Sequence, residues 1–132
     1  MNAVLDHAPR IISTQAGLQW LVLPDEAEET YTNFGDGRKG YASELDASEL
    51  VTKVNADPAR NLGHTDWRLP TLDELKTLIG TPEAPKSGWY WSSSPYVGNS
   101  DFAWGVSFDN GYVDGYNYRG SSYLVRLVRA SQ

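Results

Sequence analysis

Two short β-prone runs open the chain. Ile11 and Ile12 begin the first and LQWLVLP ends the second, and Gln15, Ala16 and Gly17 between them predict an N-terminal hairpin over residues 10–23 with Trp20 anchoring the core. Residues 24–40 are rich in acid, Gly, Asp and Asn, have no apolar period, and read as a long loop. Across residues 42–56 the period changes. Ala47, Leu50, Val51 and Val54 follow the i, i+3, i+4, i+7 spacing that gathers apolar side chains on one helical stripe. Asp57-Pro58 then stops that helix, because proline lacks the N–H and crowds the preceding turn. A second helix is predicted after DWRLPT, where Thr71 and Glu74 have capping-box spacing, Leu72, Leu75, Leu78 and Ile79 supply the buried stripe, and Gly80 ends it.

The last third is a string of short β segments separated by Gly, Asn and Asp. Trp104, Val106 and Phe108 alternate with Gly105, Ser107 and Asp109, which predicts a strand with the first set buried and the second open. Asn110-Gly111 suits a tight turn, since both residues tolerate positive φ. Leu124, Val125, Leu127 and Val128 predict a final, well-buried strand. Helices early and strands late define an α+β domain.

Composition narrows the function. At 132 residues, 40% hydrophobic and 21% charged, the sequence fits one folded domain, residues 1–132, able to bury its own core. Seventeen acidic against 11 basic residues give a net charge of −6, which repels a phosphate backbone and argues against nucleic acid as a partner. Asp25, Glu26, Glu28 and Glu29 carry much of that surplus and read as a solvated loop. With no cysteine, disulfide scaffolds, thiolate metal sites and cysteine nucleophiles are all removed. The opening MNAVLDHAPRIIS lacks the basic start and apolar stretch of a secretion signal, and no segment is long enough to span a bilayer. The expected location is the cytoplasm, or a particle assembled there such as a phage.

Catalytic chemistry finds little support. His7 and His64 belong to no metal-ligand spacing. Ser92, Ser93 and Ser94 lack a nucleophile elbow and a base, so their hydroxyls are expected to tie down local backbone. The glycines form no phosphate-binding motif. Asp101, Asp109, Asn110, Asp114 and Asn117 carry oxygens that calcium accepts, but their spacing is not that of an EF-hand, and turns favour the same residues. No catalytic residue, metal site or cofactor is expected.

A surface argument remains. Tyr96, Phe102, Trp104, Tyr112, Tyr116, Tyr118 and Tyr123 stand among Gly, Ser, Asn and Asp. Tyrosine offers large amphipathic contact at low rotamer cost, and the small polar residues adapt their hydrogen bonds. An aromatic-rich β core would use the same residues. The alternation assigns Trp104, Val106 and Phe108 to that core, whereas Tyr112, Asp114, Tyr116, Asn117 and Tyr118 show no comparable apolar phase and are expected to be exposed.

AGLQW, DWRLPTLDEL, YWSSSPY at residues 90–96, AWGVSF at 103–108, DNG at 109–111 and YLVRLVR occur in the order seen in the Lcl C-terminal domain family, which the chain resembles across most of its length. That family is related to the formylglycine-generating-enzyme branch of C-type-lectin-like folds. The resemblance implies terminal strands that meet, two helices flanking a small antiparallel sheet, and irregular β loops forming a binding surface. It implies structural roles for Trp67, Arg68 and Leu69, and buried or semi-buried pairing for Arg68, Arg126 and Arg129, with a plain surface role as the alternative for Arg129. The EPN, QPD and WND motifs of calcium-dependent sugar-binding lectins are absent, so sugar recognition is not implied. The cysteines needed for formylglycine-generating chemistry are absent as well.

A narrower resemblance is to the variable proteins of diversity-generating retroelements, whose adenine-directed mutagenesis of asparagine-type codons does not yield Lys, Glu, Gln or Met. Residues 92–128 contain none of those four. On that framework Tyr96, Gly98, Asn99, Asp101, Phe102, Gly105, Ser107, Asp109, Tyr112, Asp114, Tyr116, Asn117, Ser121 and Ser122 fall at variable positions. Trp91, Trp104, Val106, Phe108, Gly111, Val113, Val125, Arg126, Val128 and Arg129 fall on the scaffold. The expected function is non-catalytic recognition of a macromolecule, a protein or cell-surface molecule, through a region spanning about residues 92–124. The residues expected to bind are Tyr96, Asn99, Asp101, Phe102, Ser107, Asp109, Tyr112, Asp114, Tyr116, Asn117, Tyr118, Ser121 and Ser122. The alternative is an assembly domain that uses the same aromatic face for subunit contacts.

Overall fold

The computed structural model describes residues 8–39, 43 and 45–131. The expected hairpin forms: β1 (Arg10–Ser13) and β2 (Leu18–Val22) pair antiparallel with Ile12 opposite Trp20. Gly17 turns the chain at φ 80°, a conformation that costs a residue without Cβ little. The far edge of β2 takes β8 (Leu127–Ala130), so the first and last strands share a sheet of order β1-β2-β8. Both faces of this sheet are covered. Ile11, Leu21 and Leu127 join one core cluster, and Ile12, Trp20 and Val128 join the other. Hence LQWLVL and LVRLV read as near-continuous apolar runs instead of alternating ones.

The loop expected at residues 24–40 is less irregular than its composition implies. β3 (Tyr31–Thr32) runs parallel to β4 (Leu45–Asp46), and Tyr31, Thr32 and Asn33 are buried. The fully buried Asp46 holds this segment down. Its carboxylate accepts from the Thr32 hydroxyl (2.7 Å), Phe34 N–H (2.7 Å), Gly35 N–H (3.1 Å) and the N–H and hydroxyl of Ser48 (3.1 and 2.6 Å). Burial pushes the Asp46 carboxyl up, but hydrogen bonds from Ser48, Thr32 and Phe34 outweigh it and hold the group below its ordinary value. A depressed carboxyl means the unfolded chain binds more protons in acid, so the stability due to ionised Asp46 is complete above the ordinary carboxylate range, near 4, and is lost as pH falls through and below it. Urea unfolding across a pH series is expected to show this decline, and Asp46→Asn, with no charge to lose, is expected to lower the plateau and flatten the acid slope.

Asp46 also sets where the first helix starts. It N-caps α1 (Ala47–Asn55) in a capping box with Glu49, so the helix begins at Ala47, where the apolar spacing also begins, and buries Ala47, Leu50 and Val54. The expected helix start at Ala42, the loop end at Gly40, and His7 lie outside the described residues. α1 ends just before Asp57-Pro58, as expected, and the same pair also starts a further short helix, α2 (Pro58–Asn61): Asp57 is its N-cap and Pro58 occupies the first turn, where a missing N–H costs nothing. The Thr71–Glu74 capping box forms as expected and starts α3 (Leu72–Lys76). Leu75 and Leu78 are fully buried, although Leu78 already lies in the turns that follow the helix. His64 packs edge-on against Trp67, whose indole N–H donates to the Asn61 carbonyl (2.9 Å), a structural setting for that histidine.

A second antiparallel sheet has the order β5-β6-β7, built from β5 (Trp89–Pro95), β6 (Phe102–Ser107) and β7 (Val113–Tyr118). The arginines fix the connections. Arg126, 4% exposed, grips Glu26 with two nitrogens (2.8 and 2.7 Å) and donates to the Glu83 carbonyl (2.6 Å), while the Tyr90 hydroxyl donates to the same carboxylate (3.1 Å). Arg129 is also buried and pairs with Asp66 at 2.7 Å. Arg68 differs from these two, because its side chain is exposed while it holds Glu74 through two nitrogens (2.7 and 2.8 Å).

Candidate functional site

β7 is the outer strand of the second sheet, and its residues alternate. Gly115 and Asn117 point inward, whereas Tyr116 and Tyr118, together with Tyr112 just before the strand, stand 63%, 51% and 58% exposed. The period-2 pattern that sequence reasoning placed on Trp104–Phe108 thus separates faces on the neighbouring strand.

On β6 the pattern is different from the one expected. Val106 is buried, but Trp104 and Phe108 are half-buried, and Ala103, Gly105 and Ser107 are buried. Ala103 packs into one core cluster and Val106 into the other, so cover on both faces of β6 removes the alternation. Two expected contact residues therefore do not reach solvent. Ser107 is 3% exposed, and its hydroxyl accepts from Asp109 N–H (3.3 Å). Asn117 is 5% exposed; its amide donates to the carbonyls of Ala103 and Asp114, and its oxygen accepts from the Tyr123 hydroxyl (2.8 Å). Gly105 is enclosed too, since a Cβ there would stand 3.1 Å from the Tyr90 carbonyl. The turn after β6 is also longer than the expected Asn-Gly pair: Gly111 alone takes the positive φ (75°), and its N–H reaches back to the Ser107 carbonyl (2.8 Å).

The rings of this region form two contacting groups, one around Tyr116 and Tyr118 and one around Tyr112. Phe102 lies opposite Tyr118 across β6 and β7 and stacks on Tyr116 with centroids 4.1 Å apart. Tyr96 meets Tyr116 edge-on at 5.8 Å and Trp104 at 6.0 Å. Tyr118 meets Phe34 at 6.0 Å, and the Arg38 guanidinium sits 4.3 Å over the Phe34 ring. In the second group Tyr112 meets Trp89, which stacks on Tyr123, and Tyr123 leans on the buried Trp91 at 4.5 Å. Gly115 makes the first group possible, because a Cβ there would lie 2.7 Å from both Trp104 and Tyr96. Gly115→Ala is expected to cost about 1–3 kcal/mol and to alter the near-ultraviolet circular dichroism of the displaced rings; an unchanged spectrum would show that the rings yield without rearranging.

The polar residues around the rings are tied into turns. Asn99 accepts from Asp101 N–H (2.9 Å), Asp114 from Tyr116 N–H (3.0 Å) and Asn110 from Tyr112 N–H (3.0 Å). Asp109, exposed, has a long contact with Gly88 N–H (3.4 Å). Ser121 and Ser122 are half-buried, and the Ser122 hydroxyl is bonded to Ser43. Arg119 fastens the loops beneath: its guanidinium donates to the carbonyls of Ser100 and Asn33, both at 2.9 Å. Among the described residues no group of three or more His, Cys, Asp or Glu is placed to hold a metal ion. A cleft of about 670 Å³ lies elsewhere, lined in part by Arg10, Glu26, Lys86, Tyr90 and Arg126; none of the expected contact residues borders it.

Sequence reasoning missed three members of this face. Val97, 98% exposed, projects from the loop after β5, and Phe34 and Arg38 come from the segment read as featureless loop. A valine in a turn-rich segment gives no periodic signal, and Phe34 is brought in by contacts remote in sequence, its own to Asp46 and those of Asn33 to Arg119 and Ser92.

These features define an α+β domain that carries an aromatic face on the outer strand of its second sheet. The Lcl C-terminal domain matches residues 10–129, and the protein belongs to that family. No curated protein matches the sequence. Among the described residues no helix is long and apolar enough to cross a membrane.

Proposed function

We propose that this protein is a non-catalytic recognition module with a C-type-lectin-like fold, binding a protein or another cell-surface macromolecule through its aromatic face. The observation that carries this reading is that Tyr116 and Tyr118 on β7, and Tyr112 just before it, are each more than half exposed. Rings of this size are seldom left in water together without a partner, and tyrosine is enriched where binding energy concentrates. The meeting of the terminal strands β1, β2 and β8 supports the fold assignment.

A role as the diversified protein of a retroelement is part of the same proposal. Tyr96, Asn99, Asp101, Tyr112, Asp114, Tyr116 and Tyr118 reach the surface to some degree, whereas Trp91, Val106, Val125, Arg126 and Val128 are buried. Gly105, Ser107 and Asn117 are enclosed, so tolerated variation would be confined to the first group. Neighbouring DNA holding a reverse transcriptase gene and a near-copy of the final coding segment would support this role, and a locus without them would remove it.

Selection of a displayed random-peptide library on the purified protein tests the binding reading. The Tyr112→Ala/Tyr116→Ala/Tyr118→Ala variant is expected to lose at least about 30-fold in affinity for the selected peptides while its melting temperature shifts by less than about 5 °C. Sedimentation completes the test: a monomer with the face open agrees with recognition, and a dimer that the triple variant dissociates replaces recognition with subunit assembly.

A further inference from the structure

The charge around the aromatic face restricts what it binds. Between Lys86 and Arg119 the sequence contains no cation, and its ionisable side chains at neutral pH are Asp101, Asp109 and Asp114. Asp101 precedes Phe102, whose ring stacks on Tyr116 and faces Tyr118, and Asp114 stands between Tyr112 and Tyr116 along the chain. Neither carboxylate forms an ion pair among the described residues. The charge of Asp114 is felt among the rings: burial raises the Tyr123 phenol above its ordinary pKa, and Asp114 raises it further. Two cations that border the face are already engaged. Arg119 is on the Ser100 and Asn33 carbonyls, and Arg38 is paired with Asp36 at 2.9 Å.

Arg38 supplies the second observation. Its guanidinium lies 4.3 Å over Phe34 with the Asp36 carboxylate at its edge, and Phe34 is in edge contact with Tyr118. An arginine held between an aromatic ring and an aspartate thus already borders the face. The rest of the face repeats the same pair of surfaces, exposed ring and nearby aspartate, with no cation of its own.

Resting on the binding reading above, we infer that the partner presents arginine or lysine side chains to this face, seated over Tyr112, Tyr116 and Tyr118 and facing the carboxylates of Asp101 and Asp114. An aromatic face attracts a cation through its ring quadrupole, and a carboxylate beside it adds a screened Coulomb attraction. The same arrangement rejects acidic partners, so it confers selectivity as well as affinity.

The random-peptide selection provides the probe. Peptides whose binding depends on the three tyrosines are expected to be enriched in Arg and Lys. They are expected to weaken about fivefold on Asp101→Asn/Asp114→Asn and several-fold as salt rises from about 50 mM to about 500 mM. Asparagine keeps the oxygen that accepts Tyr116 N–H, so this variant removes charge without removing the turn. A variant of the remote acidic loop, Asp25→Asn/Glu28→Gln/Glu29→Gln, is expected to bind them unchanged. Tyrosine-dependent peptides that are neutral or acidic would overturn the inference and leave the binding face standing. Basic peptides that ignore the tyrosines, or that respond to the remote loop instead, would also overturn it. If no selected peptide distinguishes wild type from the tyrosine variant, the binding reading itself falls.

Discussion

Arg126→Ala is expected to destabilise the protein by about 3–5 kcal/mol, a large share of the 5–15 kcal/mol typical of a domain. The size follows from what remains behind. Glu26 would keep its carboxylate in a largely buried site with only the Tyr90 hydroxyl to answer it, and the Glu83 carbonyl would lose its donor. Removing one member of a buried pair is much worse than removing both, because the survivor is an uncompensated charge. The double variant Glu26→Leu/Arg126→Met is therefore expected to recover most of the loss. Urea unfolding of the three proteins decides the matter, and a loss below about 1 kcal/mol for Arg126→Ala would mean that the pair behaves like a hydrated surface bridge.

Trp91→Ala is expected to cost a similar amount, about 3–5 kcal/mol, by opening a cavity in the first core cluster. Trp91 is fully buried, its indole N–H donates to the Tyr31 carbonyl (2.7 Å), and Tyr123 leans against its ring. Because Tyr123 stacks on Trp89 and Trp89 supports Tyr112, the damage is expected to reach the surface, with loss of near-ultraviolet aromatic signal and of binding at temperatures where the variant is still folded. Trp91→Phe keeps most of the volume and is expected to cost about 1–2 kcal/mol, since the Tyr31 carbonyl still accepts from Tyr123 N–H. A Trp91→Ala variant that unfolds earlier yet retains full binding when folded would separate core from face and contradict the linkage.

Local chemistry was legible wherever it was also decisive. Thr71 and Glu74 cap their helix as their spacing implies, the residues around Gly17 turn the hairpin, and Trp20 is buried. Signals went astray where distant segments intervene. The segment read as loop buries Tyr31, Thr32 and Asn33 because Asp46, remote in sequence, collects Thr32, Phe34 and Gly35. Asp57-Pro58 ends one helix and begins another with the same residues. On the candidate face, Tyr112, Tyr116 and Tyr118 were separable from the core because they lack an apolar phase. Ser107 and Asn117 were not, since a small polar residue in a strand looks the same exposed or hydrogen-bonded inside. Only contacts remote in sequence determine which of these applies, as with the Tyr123 hydroxyl and the Ala103 carbonyl that hold Asn117 inside.

Gly105 lies opposite Asp114 and Ala103 opposite Asn117, so β7 carries one extra residue against β6, and this bulge affects how the molecule meets others. A bordering strand with bare rings is a template on which like chains can stack into fibres, and many proteins protect such margins with charge or irregular backbone. Here Asp114 already takes the N–H of Tyr116, and Asn117 already donates to the carbonyl of Asp114, beside a register shift that bends the ladder. The margin therefore offers a visitor side chains in place of main chain, so whatever docks there is chosen by its own residues and not by the generic ability of any extended peptide to add a rung.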